Sequence, residues 1–78
     1  MVTAFVMIKV GAGELLNWIK VVEEEVAKLP GVVETHRIFG IYDIIAKIET
    51  DTSEKLTTLI DKMRSIAGVV DTDTFMAH

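Results

Sequence analysis

Two segments of the chain resemble each other and constrain its fold more than any other feature. LPGVVET occupies residues 29–35 and IAGVVDT occupies residues 66–72. In each segment a glycine, which commonly ends a helix, comes directly before a short β-branched run that is typical of a strand. Each segment therefore marks a helix that leads into a strand. Two such transitions predict two βαβ units, whose crossovers are almost always right-handed.

The spacing of apolar residues predicts a helix ahead of each transition. Residues 14–29 place apolar side chains on one helical face, and Pro30 with Gly31 would end that helix. A second apolar stripe of helical spacing precedes Gly68. Asp51 is the predicted N-cap of this second helix, because Glu54 follows three positions later and is able to reach back to the cap.

The remaining segments are predicted to form four strands. Residues 2–10 are apolar and β-branched, and the other strands are expected at 32–39, 41–50 and 69–76. Gly40 would then be the only turn residue of a tight hairpin between the second and third strands. The order βαββαβ predicts an α+β fold in a single domain, residues 1–78. The fold is a ferredoxin-like sandwich in which both helices cover one face of a four-stranded antiparallel sheet.

The high apolar content predicts that the other face of the sheet is also covered. Half of the residues are apolar and the mean hydropathy is +0.40. A small monomer has too much surface to cover with so few polar residues. We therefore expect a homodimer that buries the helix-free face of the sheet.

Composition also excludes several kinds of site. The chain has no cysteine, which rules out disulfides, thiolate zinc sites and a thiol nucleophile. Its net charge is −4 and no cluster of Lys and Arg stands out, which argues against direct binding to nucleic acid. No apolar run approaches the length of a membrane span, so a cytoplasmic protein is expected. The absence of Gln and the single Asn fit a heat-adapted source.

Two features that resemble catalytic or metal sites favour simpler interpretations. Asp71 and Asp73 share one face of the last strand, but two carboxylates are far fewer oxygens than calcium takes, so no metal site is predicted. They are typical of a charged edge strand. His36 lies alone on a strand, with no serine or cysteine nucleophile in a recognisable turn. No catalytic residue and no cofactor are predicted.

The stretch GIYD, residues 40–43, is the main candidate for a ligand site. Gly40 can adopt a positive φ and lets another group approach the backbone closely. Asp43 has two interpretations. It can hydrogen-bond backbone amides of the hairpin and hold its register. It can also offer its carboxylate to the ammonium group of a free amino acid, while hairpin amides meet the ligand carboxylate.

The order and spacing of these pieces resemble the effector-binding domain, or RAM domain, of the Lrp/AsnC (feast/famine) transcription regulators. The resemblance covers essentially the whole chain, through LPGVVETHRIFGIYDIIAKIE and IAGVVDTDTFM. The positions that match the family pattern are Pro30, Val32, His36, Gly40, Tyr42, Asp43, Gly68, Val69, Thr72 and Thr74.

This resemblance implies a domain that dimerises through its sheet, often within a ring of dimers. Amino acids would bind in clefts between subunits, beside the Gly-x-aromatic-Asp hairpin. The ligand-binding residues expected on this basis are Gly40, Ile41, Tyr42, Asp43, Thr72, Thr74, His36 and Arg37. Family regulators normally carry an N-terminal helix-turn-helix domain, whereas this chain begins directly at the first strand. It is therefore expected to act by assembly with full-length regulators, without binding DNA itself.

Two alternatives remain open at this level. Small dimeric oxygenases and haem-associated enzymes share the fold, but they need an enclosed apolar pocket and a ligand-facing group, for which His36 is the only reasonable candidate. The other alternative is a structural dimerisation module that binds no ligand.

Overall fold

The computed structural model describes residues 1–11 and 16–77, and it confirms the predicted order of elements. The predicted start of the first helix at residue 14 lies outside the described residues. The elements in chain order are β1 (Val2–Val10), α1 (Leu16–Ala27), β2 (Val32–Arg37), β3 (Ile44–Thr50), α2 (Ser53–Arg64) and β4 (Val69–Met76).

The four strands form one antiparallel sheet in the order β2-β3-β1-β4. β1 lies in the centre and pairs with β3 from Val2 opposite Thr50 to Ile8 opposite Ile44. This is the predicted ferredoxin-like topology, in which each βαβ unit contributes one central and one edge strand. Neither helix of the described residues is long and apolar enough to cross a membrane.

The core lies between the sheet and the two helices. Alternate residues of β1 and β3 are buried, because successive strand side chains point to opposite faces of the sheet. Burial of one large aliphatic side chain contributes about 1.5–3 kcal/mol, so this layer is the main source of stability. The fully buried side chains of largest volume are Ile8, Ile44, Ile48, Met63, Val6, Val22 and Val26.

The opposite face of the sheet, which we call the open face, is covered by neither α1 nor α2. The register places Phe5 of β1 opposite Phe75 of β4 and Met7 opposite Ile45 of β3 on this face. Phe75 remains 53% exposed. Large apolar side chains on a sheet face without a covering layer are typical of an interaction surface.

The predicted tight hairpin at Gly40 is wrong. β2 ends at Arg37 and β3 begins at Ile44, so residues 38–43 form the connection. The amide of Ile38 donates a hydrogen bond to the carbonyl of Asp43 at 2.9 Å, which closes this loop. The prediction failed because Phe39 and Ile41 are apolar and were assigned to strands, whereas both point into solvent.

The N-cap of α2 is Thr52, and the prediction of Asp51 is wrong. Thr52 has extended backbone angles, and its hydroxyl oxygen accepts a hydrogen bond from the amide of Lys55 at 3.2 Å. The Asp51 carboxylate instead meets the side-chain ammonium of Lys55 at 3.3 Å. Asp and Thr are both common N-cap residues. The position of the end of β3, at Thr50, decides which of the two stands directly before the helix.

Candidate functional site

Asp43 joins the hairpin, residues 38–43, to the central strand. The amide of Val10 donates a hydrogen bond to Oδ2 of Asp43 at 2.8 Å, and the Lys9 ammonium lies 3.9 Å from the same oxygen. The amide of Asp43 also donates to the carbonyl of Ile8 at 2.9 Å. Asp43 therefore has a structural role, with the amide at the end of β1 as its partner in place of the hairpin amides that we expected.

The same carboxylate keeps one oxygen available for a ligand. Both side-chain contacts of Asp43 use Oδ2, and among the described residues no hydrogen bond reaches Oδ1. The side chain is 21% exposed, so the carboxylate is partly accessible to solvent while Oδ2 is anchored. A carboxylate held in this way is pre-organised to accept a hydrogen bond from an ammonium group.

The tip of the hairpin is open on all sides. Gly40 has φ = +137°, and a Cβ added there would meet nothing within 4 Å. A glycine is thus favoured at position 40 because of the positive φ, and not because a side chain there would clash with its neighbours. Phe39 and Ile41 on either side are 105% and 78% exposed. Two such neighbouring apolar side chains at a loop tip are typical of an interaction surface.

Tyr42 connects the hairpin to β4 across the open face. Its hydroxyl donates a hydrogen bond to Oδ2 of Asp73 at 3.3 Å. Partial desolvation of the phenol, together with the negative charges of Asp73 and Asp71 and the hydrogen bond, raises the pKa of Tyr42 above its ordinary value. Tyr42 is therefore a neutral hydrogen-bond donor at physiological pH.

Thr72 and Thr74 lie on the helix side of β4, as their opposite strand partners show. They pair with Ile8 and Val6, which are both fully buried on that side. The hydroxyl of Thr72 accepts a hydrogen bond from Nε of Arg64 at 3.0 Å. Thr72 thus already has a hydrogen-bond partner on α2. It lies on the helix side of the sheet, whereas the Tyr42 hydroxyl lies on the open face. Sequence reasoning missed Arg64, since its position in the last turn of a helix indicated only a favourable charge.

His36 and Arg37 point to opposite faces of β2. His36 pairs with Ile45 on the open face and is exposed. Arg37 lies on the helix side, where its Nε is 3.3 Å from Oε1 of Glu23 on α1. The eight expected ligand residues therefore occupy four separate places in one subunit, and only Gly40, Ile41, Tyr42 and Asp43 lie together in the hairpin.

Two clefts are outlined by described residues, and no residue of the hairpin lines either of them. One has a volume of about 350 Å³ and lies beside the start of β4, between Arg64 and Thr72. The other has a volume of about 330 Å³ and lies beside α2 at the opposite end of the sheet, lined in part by Lys55, Leu59 and Lys62. These three residues follow one another at intervals of four and three positions, which places them on one face of α2. The sequence predictions did not use this spacing. No group of three or more His, Asp or Glu side chains suited to a metal occurs within the described ranges.

A βαββαβ sandwich with an uncovered sheet face and a Gly-x-Tyr-Asp hairpin defines a class of small ligand-binding domains. The model of the Lrp/AsnC ligand-binding domain matches residues 3–78, and the chain belongs to this family. It is 38% identical over 73 residues to the HTH-type transcriptional regulator FL11 of Pyrococcus horikoshii. The aligned region covers 94% of this chain and 46% of that protein. The chain thus spans about half the length of the curated relatives that it matches.

Solved structures agree with this assignment. FFRP-DM1 superposes with a TM-score of 0.87 at 35% identity, and the match covers 100% of both chains. The feast or famine regulatory protein Rv3291c from M. tuberculosis, complexed with L-methionine, has a TM-score of 0.76 and covers 99% of this chain and 50% of that chain. At 17% identity this second likeness shows the fold alone.

Proposed function

We propose that this chain is an amino-acid-binding module that modulates transcription or amino-acid metabolism by assembling with other Lrp/AsnC subunits. The observation that carries this proposal is the divided role of the Asp43 carboxylate. Oδ2 is held by the amide of Val10, whereas no described residue hydrogen-bonds Oδ1, and Gly40 in the same loop is exposed. A rigid acceptor next to backbone donors is complementary to the two charges of a free amino acid.

In the proposed complex, the ligand ammonium group meets Oδ1 of Asp43 directly or through water. The ligand carboxylate meets backbone amides near Gly40 and Ile41, which the loop exposes to solvent. Membership of the Lrp/AsnC ligand-binding domain family supports a small-molecule ligand, and an amino acid is its proposed class. Thr72, Thr74, His36 and Arg37 are secondary candidates, because one subunit does not bring them to the hairpin.

The site is proposed to be complete only at a junction between subunits. One subunit leaves Phe39 and Ile41 largely exposed, and no hairpin residue lines either of the two clefts described above. A second subunit packed against this tip would cover the apolar pair and close the space over Gly40. The open face, with Phe5 and Phe75 side by side, is the proposed homodimer surface, and the hairpin tip would join dimers into a ring.

Direct DNA binding and catalysis are not part of the proposal. The net charge of −4 opposes contact with phosphates, and both helices of the described fold pack on the sheet. Regulation is instead proposed to arise when this cytoplasmic chain joins full-length regulators of the family. The oxygenase alternative gains no support, because His36 is exposed on the open face and lines neither cleft.

Calorimetric titration with the twenty common amino acids tests the ligand proposal. At least one is expected to bind, and Asp43→Ala should weaken that binding tenfold to a hundredfold, or about 1.5–3 kcal/mol, the range for a hydrogen bond to a charged group. Asp61→Ala, which removes an exposed carboxylate from α2, serves as the control and should bind normally. Unchanged affinity per folded Asp43→Ala molecule would contradict the assigned role of Asp43.

A gel-retardation assay tests the role proposed for DNA. The protein should not retard duplex DNA at physiological salt. In a separate experiment, it should co-purify with a full-length regulator of the family from its native source. A salt-dependent shift that indicates several phosphate contacts would refute the indirect mechanism.

A further inference from the structure

The cleft beside α2 has the dimensions of a small-molecule site and lies apart from the hairpin. It lies between one face of α2 from Lys55 to Lys62, the Pro30–Gly31 segment and the C-terminal end of β3, and its volume is about 330 Å³. Small-molecule pockets have volumes of about 300–1,000 Å³, so this cleft is large enough for a metabolite the size of an amino acid. Since β3 runs from Ile44 near the hairpin to Thr50 at the cleft, the two places lie at opposite ends of the subunit.

The floor of the cleft is apolar and depends on a glycine. Leu59 and Pro30 line it, and Leu59 is a nearly buried core residue. Gly31 has φ = +102°, and a Cβ at this position would lie 3.2 Å from Cδ2 of Leu59 and 3.4 Å from Cγ2 of Thr50. The absence of a side chain at position 31 therefore keeps the floor of the cleft open.

The rim of the cleft carries opposite charges. Lys62 has no ion pair or side-chain hydrogen bond with any described residue, whereas Lys55 is held by Asp51 at 3.3 Å. The hydroxyl protons of Thr50 and Thr58 are donated to backbone carbonyls, at 2.9 and 3.1 Å respectively. Their oxygens therefore keep lone pairs that can accept hydrogen bonds, in addition to the carboxylates of Asp51 and Glu49, which also line the cleft. The rim thus provides one uncommitted cation and several acceptors.

We infer that this cleft binds a free aliphatic amino acid as a zwitterion, at a site distinct from the proposed hairpin site. The ligand carboxylate pairs with the ammonium of Lys62, and its own ammonium donates to Asp51 and the threonine oxygens. The aliphatic side chain packs on Leu59 and Pro30. A carboxylate without an ammonium group is disfavoured by the acidic residues of the rim, and an amine without a carboxylate leaves Lys62 unpaired. Each subunit contains this site complete, so binding there does not need the subunit junction.

Amide TROSY spectra of the assembled protein, recorded during titration with L-leucine, test this inference. Saturable shifts are expected at Gly31, Thr50 and Leu59. Isoamylamine, which lacks the carboxylate, and N-acetyl-L-leucine, which lacks the ammonium group, should give no saturable shifts at these positions. Lys62→Gln should raise the half-saturation concentration roughly twofold to fivefold, as expected for a solvent-accessible ion pair. Lys20→Gln, on the exposed surface of α1, is the matched control and should leave it unchanged.

The outcomes separate this site from the hairpin site. Thr58→Phe, which fills the cleft, should abolish the shifts at Gly31 and Leu59 without altering any shifts at residues 38–43. L-leucine shifts that occur only at residues 38–43 would overturn the inference while supporting the proposed function. Cleft shifts that persist in Asp43→Ala would support the inference whatever happens at the hairpin. Absence of cleft shifts at up to about 10 mM L-leucine, or equal shifts with isoamylamine, would also overturn it.

Discussion

The amide of Val10 donates a hydrogen bond to Oδ2 of Asp43 at 2.8 Å, although the two residues are 33 positions apart in the chain. The amide of Asp43 returns a hydrogen bond to the carbonyl of Ile8 at 2.9 Å. Pairing between β1 and β3 is thereby prolonged beyond Ile44 into the hairpin. The residue expected to hold a ligand is consequently also a residue that holds the fold, and substitutions must distinguish the two roles.

Asp43→Ala should destabilise the ligand-free protein, whereas Asp43→Asn should not do so to the same extent. Val10 is only 7% exposed, so removal of its acceptor leaves a buried amide unsatisfied, at a cost of about 1–3 kcal/mol. Asparagine retains a carbonyl oxygen that can accept this hydrogen bond, but it lacks the negative charge. Thermal denaturation followed by circular dichroism should show a melting temperature lower by several degrees for the alanine variant. Equal melting temperatures for all three proteins would show that the Val10 contact contributes nothing.

The ionisation of Tyr42 can be followed directly, because it is the only tyrosine in the chain. Phenolate absorbance should titrate with a pKa above the ordinary value of about 10. Asp73→Asn removes a negative charge and leaves only a neutral hydrogen-bond acceptor, so it should lower this pKa. Asp61→Asn on α2 is the control and should leave it unchanged. A phenol that titrates identically in all three proteins would contradict the assigned interaction.

The raised pKa of Tyr42 also predicts the direction of a stability change in alkali. The folded state holds the phenolic proton more tightly than the unfolded state, so its contribution is fully present below about pH 10. It is lost as the pH rises through the folded-state pKa. Tyr42→Phe cannot ionise and should therefore show a smaller loss of unfolding free energy over this range. Urea denaturation at several alkaline pH values measures the difference, and parallel losses in both proteins would refute the linkage.

Phe75→Lys should weaken the proposed homodimer. Phe75 faces Phe5 on the open face and is 53% exposed in one subunit, so a subunit partner would bury much of its ring. Loss of one large apolar contact of about 1.5–3 kcal/mol weakens association roughly tenfold to more than a hundredfold. Light scattering across a dilution series measures this change. Val21→Lys is the control, because Val21 is 45% exposed on α1 and lies away from the open face. Equal effects of the two substitutions would exclude the open face as the dimer surface.

Thr52→Ala should destabilise the protein more than Asp51→Ala. Thr52 accepts the hydrogen bond from the amide of Lys55 and caps α2, and loss of such a cap costs about 0.5–2 kcal/mol. Asp51 makes an exposed pair with Lys55 four positions later, which is worth about 0.3–0.5 kcal/mol. Urea denaturation of both variants measures the two free energies of unfolding. The reverse order would assign the cap to Asp51.

The candidate site could be predicted only in part. The sequence singled out the hairpin because a glycine and an acid within an apolar stretch are unusual for a strand, and its role as a ligand site stays a prediction. The positions of Thr72 and Arg37 relative to it could not be foreseen, since each depends on which face of the sheet its strand presents. Thr72 is held by Arg64 and Arg37 lies beside Glu23, and both contacts join segments distant in the sequence.

By itself the sequence determined the order of the elements and the faces that form the core. Periodicities of two and of 3.6 residues are local properties, and the two matching helix-to-strand segments limited how six elements could be arranged. Only the tertiary structure decided the length of the connection at Gly40, the N-cap of α2 and the partner of Asp43. Each of these depends on which backbone donors and acceptors remain unpaired after the strands have paired. Distant parts of the chain decide this. Hydrogen bonds such as that from Val10 to Asp43 require a particular register, which the pattern of apolar residues does not specify.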